Sequence, residues 1–138
     1  MTKTTHAVRG GLLAAVALLT MGAAPAPATP QTAIQGDWLY LTVTTGDTRS
    51  SDTRGTLLLC DPPQGHAHAA KACEELRAAE GDITRIPVRP DVLCPMLYAP
   101  VTAAARGEWN GRTTEYTHTF SNTCMMGVET GSVFALGD

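Results

Sequence analysis

The chain has 138 residues, with 10 Lys and Arg against 13 Asp and Glu and a formal net charge of −3. That balance gives no electrostatic reason to bind nucleic acid or an anionic membrane surface. The length is enough for one domain and not for two.

The N-terminus has the layout of a secretory signal peptide. Lys3 and Arg9 give a basic start, and the apolar run 11–21 is too short to span a bilayer comfortably. Ala26-Pro27-Ala28 fits an A-x-A cleavage site, with Thr29 as the new first residue. The expected organisation is therefore a signal peptide over 1–28 and one secreted, extracellular domain over 29–138. Cleavage there leaves eight basic and 13 acidic residues, a net charge of −5. The Ala, Pro and Thr of residues 23–32 read as a leader into the fold.

Residues 38–45 alternate, with Leu39, Leu41 and Val43 on one side and Trp38, Tyr40 and Thr42 on the other, which predicts a strand. Residues 46–52 are polar and predict a turn or loop. Residues 55–60 predict a second strand pairing with the first as a hairpin. Asp61-Pro62-Pro63-Gln64-Gly65 breaks it. Residues 69–80 predict a short helix with Ala69, Cys73 and Leu76 at helical spacing and Gly81 as its stop. One more turn is expected at 82–86, before Pro87 and Pro90. Residues 101–106 predict a third strand, 107–111 a hairpin connection with a glycine at each end, and 112–121 the longest alternating run. Residues 125–130 are expected as a loop and 131–136 as a last short strand. Mostly antiparallel strands with one or two helices make an α+β domain.

Cys60, Cys73, Cys94 and Cys124 all lie beyond the expected signal peptide. An even number in a secreted chain reads as two disulfides, for which three pairings exist. The sequential one would close a short loop with Cys60 and Cys73, and would fasten Cys94 to the distant Asn122-Thr123-Cys124 stretch.

The most informative residues are Cys94-Pro95-Met96-Leu97-Tyr98-Ala99-Pro100. Pro95 locks its own φ near −65° and pushes Cys94 into an extended conformation. With Cys94 in a disulfide, the backbone before Met96 is both extended and tethered. A stiff, exposed segment presenting one apolar side chain looks like a protease substrate held in its binding conformation. That argues for an inhibitor, not an enzyme.

Placed together, these pieces resemble the Streptomyces-type subtilisin inhibitor family over roughly residues 40–136. The resemblance is carried by Cys94-Pro95-Met96-Leu97-Tyr98, Pro100-Val101, Gly107-Glu108-Trp109-Asn110-Gly111, Phe120-Ser121-Asn122-Thr123-Cys124 and Ser132-Val133-Phe134. Leu59-Cys60, Ala72-Cys73 and Gly81-Asp82 fit as well. The resemblance implies a five-stranded antiparallel sheet, two helices, the sequential disulfides Cys60–Cys73 and Cys94–Cys124, and a homodimer that binds serine proteases. It implies that Met96 enters the primary specificity pocket and that Met96–Leu97 is the reactive bond, flanked by Leu93, Cys94, Pro95, Tyr98 and Pro100. No cofactor is implied. The chain departs from the family pattern at Ala99, where an acidic residue is usual, and at Gly65-His66-Ala67-His68, where Gly-Thr-His-Pro is usual.

A flexible apolar Met96 suits the broad apolar pocket of subtilisin-like or chymotrypsin-like enzymes. A trypsin-like pocket would be left with an unpaired buried charge. Leu93 supplies a further apolar anchor, and Asn122 is placed to hydrogen-bond the segment's backbone. Three other readings fit less well. Cys60, His66, His68 and Cys73 have the residue types of a zinc site but not a usual spacing, and the two histidines read better as exposed loop residues. Ser121, His118 and Asp91 could form a hydrolase triad only without an elbow motif around the serine, and His118 reads as a packed, hydrogen-bonded residue. A non-inhibitory secreted binding module with the same fold is the main alternative.

Overall fold

The computed structural model describes residues 33–47 and 50–137. The expected signal peptide, its cleavage site and the leader lie outside the described residues. Five antiparallel strands form one sheet: β1 (Trp38–Asp47), β2 (Ser50–Cys60), β3 (Pro63–Gln64), β4 (Val101–Trp109) and β5 (Arg112–Phe120), in the order β3-β2-β1-β4-β5. Helix α1 (Ala69–Ala78) follows β3, a 3-10 turn spans Ile83–Arg85, and helix α2 (Thr123–Thr130) follows β5.

The period-two pattern decides which sheet face is covered. Leu39, Leu41 and Val43 of β1 are buried and share a face with Leu58 of β2 and with Ala103 and Ala105 of β4. Val101 stands opposite Phe120, and both are buried. Helix α1 packs against β2 and β3, and α2 against β4 and β5. Their apolar side chains, including Leu76, Met126 and the following Val133 and Phe134, complete one core. The opposite face carries Tyr40, Thr42 and Arg106, with the Arg106 guanidinium 5.4 Å from the Tyr40 ring centre.

Several local expectations are corrected. The 46–52 stretch is mostly strand, because β1 reaches Asp47 and β2 starts at Ser50. β-branched threonines favour extended backbone, and the Thr44 and Thr53 hydroxyls bond across the ribbon at 2.8 Å. The residues between those strands lie outside the described residues. The expected connection at 107–111 is also largely strand, and the turn is only Asn110 (φ 49°) and Gly111 (φ 71°). Two central residues with positive φ fit the primed hairpin turn that Asn-Gly favours. Gly107 sits inside β4 opposite Leu39, where a Cβ would strike the Trp38 carbonyl and the Leu39 backbone. Its missing side chain lets β1 and β4 close.

The 125–130 stretch is helix, not loop, because Asn122 caps it. Residues 131–136 form turns and non-regular chain rather than a strand, since Gly131 (φ 63°) ends α2 and turns the chain. The fifth strand is the two-residue β3, formed by part of the Pro-rich segment expected only to break structure. Pro63 is tolerated there because β3 is an edge strand. His118 is exposed, with its ring edge-on to Phe120 at 4.6 Å, because β5 is the other edge.

Candidate functional site

Between the 3-10 turn and β4, residues 87–100 form no regular helix or strand. Pro87, Pro90, Pro95 and Pro100 lack backbone donors and restrict their own φ and that of their predecessors. The chain makes no ladder of its own here, and several of its backbone groups are held by another element.

That element is α2 together with the two residues before it. Arg89 donates its backbone N–H to the Val128 carbonyl at 3.1 Å. Cys94 is joined to Cys124, with Cα atoms 5.7 Å apart. The Asn122 Nδ2 donates to the Pro95 carbonyl at 3.2 Å and to the Leu97 carbonyl at 2.9 Å. Ala99 donates its N–H to the Ser121 carbonyl at 2.8 Å. At the exit, Gly46 of β1 donates to the Pro100 carbonyl at 3.2 Å.

Asn122 uses both ends of its amide. Its Oδ1 accepts from the Met125 N–H at 2.9 Å, closing the first turn of α2. Since the Met125 N–H must meet an oxygen, the nitrogen end necessarily faces the two carbonyls. The side chain is buried, with 7% exposure. In an extended chain successive carbonyls point to opposite sides. Pro95 and Leu97 turn their carbonyls toward Asn122, and among the described residues no hydrogen bond engages the Met96 carbonyl.

The side chains follow the same division. Cys94 is half-buried, while Leu93 is 95%, Met96 105%, Leu97 62% and Tyr98 79% exposed. Residues 92–100 contain no charged side chain. An uninterrupted set of exposed large apolar groups on a fastened backbone marks a surface built to meet a partner. The site is convex. A concavity of about 600 Å³ elsewhere, lined by Glu80, Arg85, Trp109 and Arg112 among others, includes no residue of this segment.

Cys60 and Cys73 are bonded to each other, so neither offers a thiolate to a metal. His66 is not a free loop residue. Its Nδ1 accepts from the His68 N–H at 2.8 Å, which leaves Nε2 protonated and donating to the Val133 carbonyl at 3.1 Å. Burial, and to a lesser degree the neighbouring His68, hold its pKa below the ordinary imidazole value, against a smaller opposing effect of the Val133 bond. Among the described residues, no hydrogen bond joins Ser121, His118 and Asp91.

Sequence reasoning brought Cys94, Cys124 and Asn122 to the segment but missed Ser121 and Val128. Both hold it through main-chain carbonyls, which have no side-chain signature. It also missed Glu75, whose Oε1 lies 3.5 Å from the Arg89 guanidinium.

Comparison with known proteins adds to this geometry. Residues 35–122 match the family described as subtilisin inhibitor-like. A Streptomyces avermitilis protein provisionally named a serine protease inhibitor is 64% identical over 138 residues, covering 100% of this chain and 92% of that one. The subtilisin inhibitor of Streptomyces albogriseolus is 41% identical over 101 residues, covering 70% of each. Among solved structures, Streptomyces caespitosus sermetstatin, in complex with Bacillus licheniformis subtilisin, aligns with a TM-score of 0.55 and 33% identity, over 72% of this chain and 99% of that one.

Proposed function

The chain belongs to the subtilisin inhibitor-like family, and from that premise we infer that it inhibits serine proteases by offering them the Met96–Leu97 bond. It is an inhibitor and not an enzyme. The observation that carries the choice of bond is the pair of hydrogen bonds from Asn122 to the carbonyls on either side of Met96. They fasten both neighbours of Met96 and leave its own carbonyl without a hydrogen bond among the described residues, which supports this choice.

A serine protease attacks that carbonyl and stabilises the resulting oxyanion. The fastened segment loses little conformational freedom on binding, so more of the contact energy appears as affinity. After cleavage the Met96 side of the cut stays tied to Cys124, and Asn122 holds both sides. The new amine therefore remains near the acyl-enzyme, and resynthesis competes with hydrolysis. Met96 fills the primary specificity pocket, and Leu93 and Tyr98 extend the apolar contact to either side. Subtilisin-like and chymotrypsin-like proteases are the targets this favours. Nothing in the segment favours the non-inhibitory module, whose loop would be mobile or buried.

Secretion rests on the basic-apolar start, the Ala26-Pro27-Ala28 site and the two disulfides, which persist in oxidising compartments. The homodimer rests on the family resemblance. The sheet face away from the helices carries Tyr40, Thr42 and Ala104 along a concavity. Sedimentation equilibrium of the mature domain reads the homodimer directly. The inhibitory reading is tested by titrating subtilisin, chymotrypsin and trypsin with the mature protein. Tight, stoichiometric inhibition of the first two and weak inhibition of trypsin is the expected order.

A further inference from the structure

The segment's attachments within 87–99 share one foundation. Ala99, Leu97, Pro95, Cys94 and Arg89 are held by Ser121, Asn122, Cys124 and Val128, all within α2 or the two residues before it. The segment therefore rides on α2, and its geometry is only as fixed as that helix. At eight residues, α2 is too short to persist without tertiary support. Asn122 secures its first turn, and Glu75 of α1 meets its other end.

The Glu75 carboxylate is half-enclosed, with 15% side-chain exposure. Its Oε2 accepts the Ser132 N–H at 2.6 Å, directly after the glycine that ends α2. A Cβ at Gly131 would land on this carboxylate, so the glycine serves both the positive φ and the space for Glu75. Its Oε1 reaches the Arg89 guanidinium at 3.5 Å, while the Arg89 N–H holds the Val128 carbonyl at 3.1 Å. One carboxylate thus joins α1, the end of α2 and the upstream anchor of the exposed segment. Through the Cys60–Cys73 bond, two residues away, α1 is fixed to the sheet.

We propose that Glu75 is a remote positioning residue for the reactive segment, acting through Ser132 and Arg89 to hold α2 and the Arg89 anchor in one fixed relation. This rests on Met96–Leu97 being the reactive bond. Glu75 lies in α1, outside the exposed segment, so its removal is expected to leave encounter unchanged and to loosen the cleaved complex. Resynthesis then loses to hydrolysis.

The experiment compares wild type, Glu75→Ala, Glu75→Gln and Arg89→Met for two rates with subtilisin: association, and hydrolysis at Met96–Leu97 followed by mass spectrometry. Glu75→Ala is expected to speed hydrolysis about tenfold, the scale of one hydrogen bond to a charged group. Association is expected to stay within about twofold of wild type. Glu75→Gln keeps an acceptor for Ser132 and falls between, and adding Arg89→Met to it has less than the additive effect. Leu58→Val, a core change in β2, lowers the melting temperature without raising the hydrolysis rate, which separates positioning from general destabilisation. Wild-type hydrolysis rates in folded Glu75→Gln and Arg89→Met overturn the proposal, even if Glu75→Ala fails to fold. If wild type itself is cut at another bond, the assignment of Met96–Leu97 fails and this proposal falls with it. A wild type cut slowly at that bond, with variants no faster, overturns the role of Glu75 alone.

Discussion

The Asn122 side-chain nitrogen lies 2.9 Å from the Leu97 carbonyl oxygen, so the residue that caps α2 also holds the chain just beyond Met96. Capping and loop support are one side chain with its two ends divided between the tasks. Asn122→Asp keeps an acceptor for the Met125 N–H but replaces the donor with an oxygen facing two carbonyl oxygens. It is expected to weaken subtilisin inhibition by about 2 kcal/mol, the scale of carbonyls left without a donor, and to speed cleavage. Asn122→Ala additionally loses the cap, about 1 kcal/mol of stability. Inhibition titrations and thermal melts of the two variants separate these effects.

Specificity follows the side chain at 96. Met96→Lys is expected to shift inhibition toward trypsin-like enzymes, where a cation meets the pocket carboxylate. Met96→Asp and Met96→Gly are expected to weaken subtilisin inhibition by several kcal/mol, as truncation of a central anchor does. Inhibition constants against subtilisin and trypsin check both. An affinity for subtilisin within about twofold of wild type in these variants would remove Met96 from the specificity pocket.

Replacing Cys94 and Cys124 together by Ser is expected to turn the inhibitor into a substrate. Residues 30 apart in sequence lose their covalent link, at a stability cost of about 3–4 kcal/mol in the chain-entropy account. The segment still enters the active site, but the cut ends separate. Mass spectrometry with catalytic subtilisin should show rapid cleavage and recovered protease activity, with circular dichroism confirming the remaining fold. Lasting inhibition with the bond uncut would place the rigidity elsewhere.

Stability is expected to fall on mild acidification because of His66. Burial depresses its folded-state pKa below the ordinary 6.5, so the folded protein disfavours the proton that the unfolded chain accepts. The contribution is complete above the unfolded value and declines as pH falls below it toward the folded value. Protonation of Nδ1 would also break its bond from the His68 N–H. Denaturant unfolding from about pH 7 to pH 5.5, above the ordinary carboxylate range, should show a slope that His66→Gln reduces. An identical slope in the variant would exclude His66 as its source.

The parts of the fold legible in the sequence are those with a strong local period. Leu39, Leu41 and Val43 announce β1, and Cys73 with Leu76 announce the inner face of α1. Short elements held by tertiary contacts were not legible. Two-residue β3 exists only by pairing with Leu59 and Cys60, and α2 carries Gly127 in its interior, which masks its helical character. The segment itself was legible because proline and cysteine act through covalent geometry, which needs no context. Asn122 was legible through its place two residues before Cys124. Glu75 was not, since nothing in its surroundings in sequence indicates a partner 14 residues on at Arg89 or 57 on at Ser132.

The most direct test of the central claim is the intact mass of the mature protein during long incubation with a small fraction of subtilisin. The account predicts slow appearance of a single cut at Met96–Leu97, approaching a mixture of intact and nicked chains still joined through Cys94 and Cys124. Nicked protein added at the start should return to the same mixture, because the bond is resynthesised. Rapid, complete digestion, or a first cut at any other bond, would contradict it.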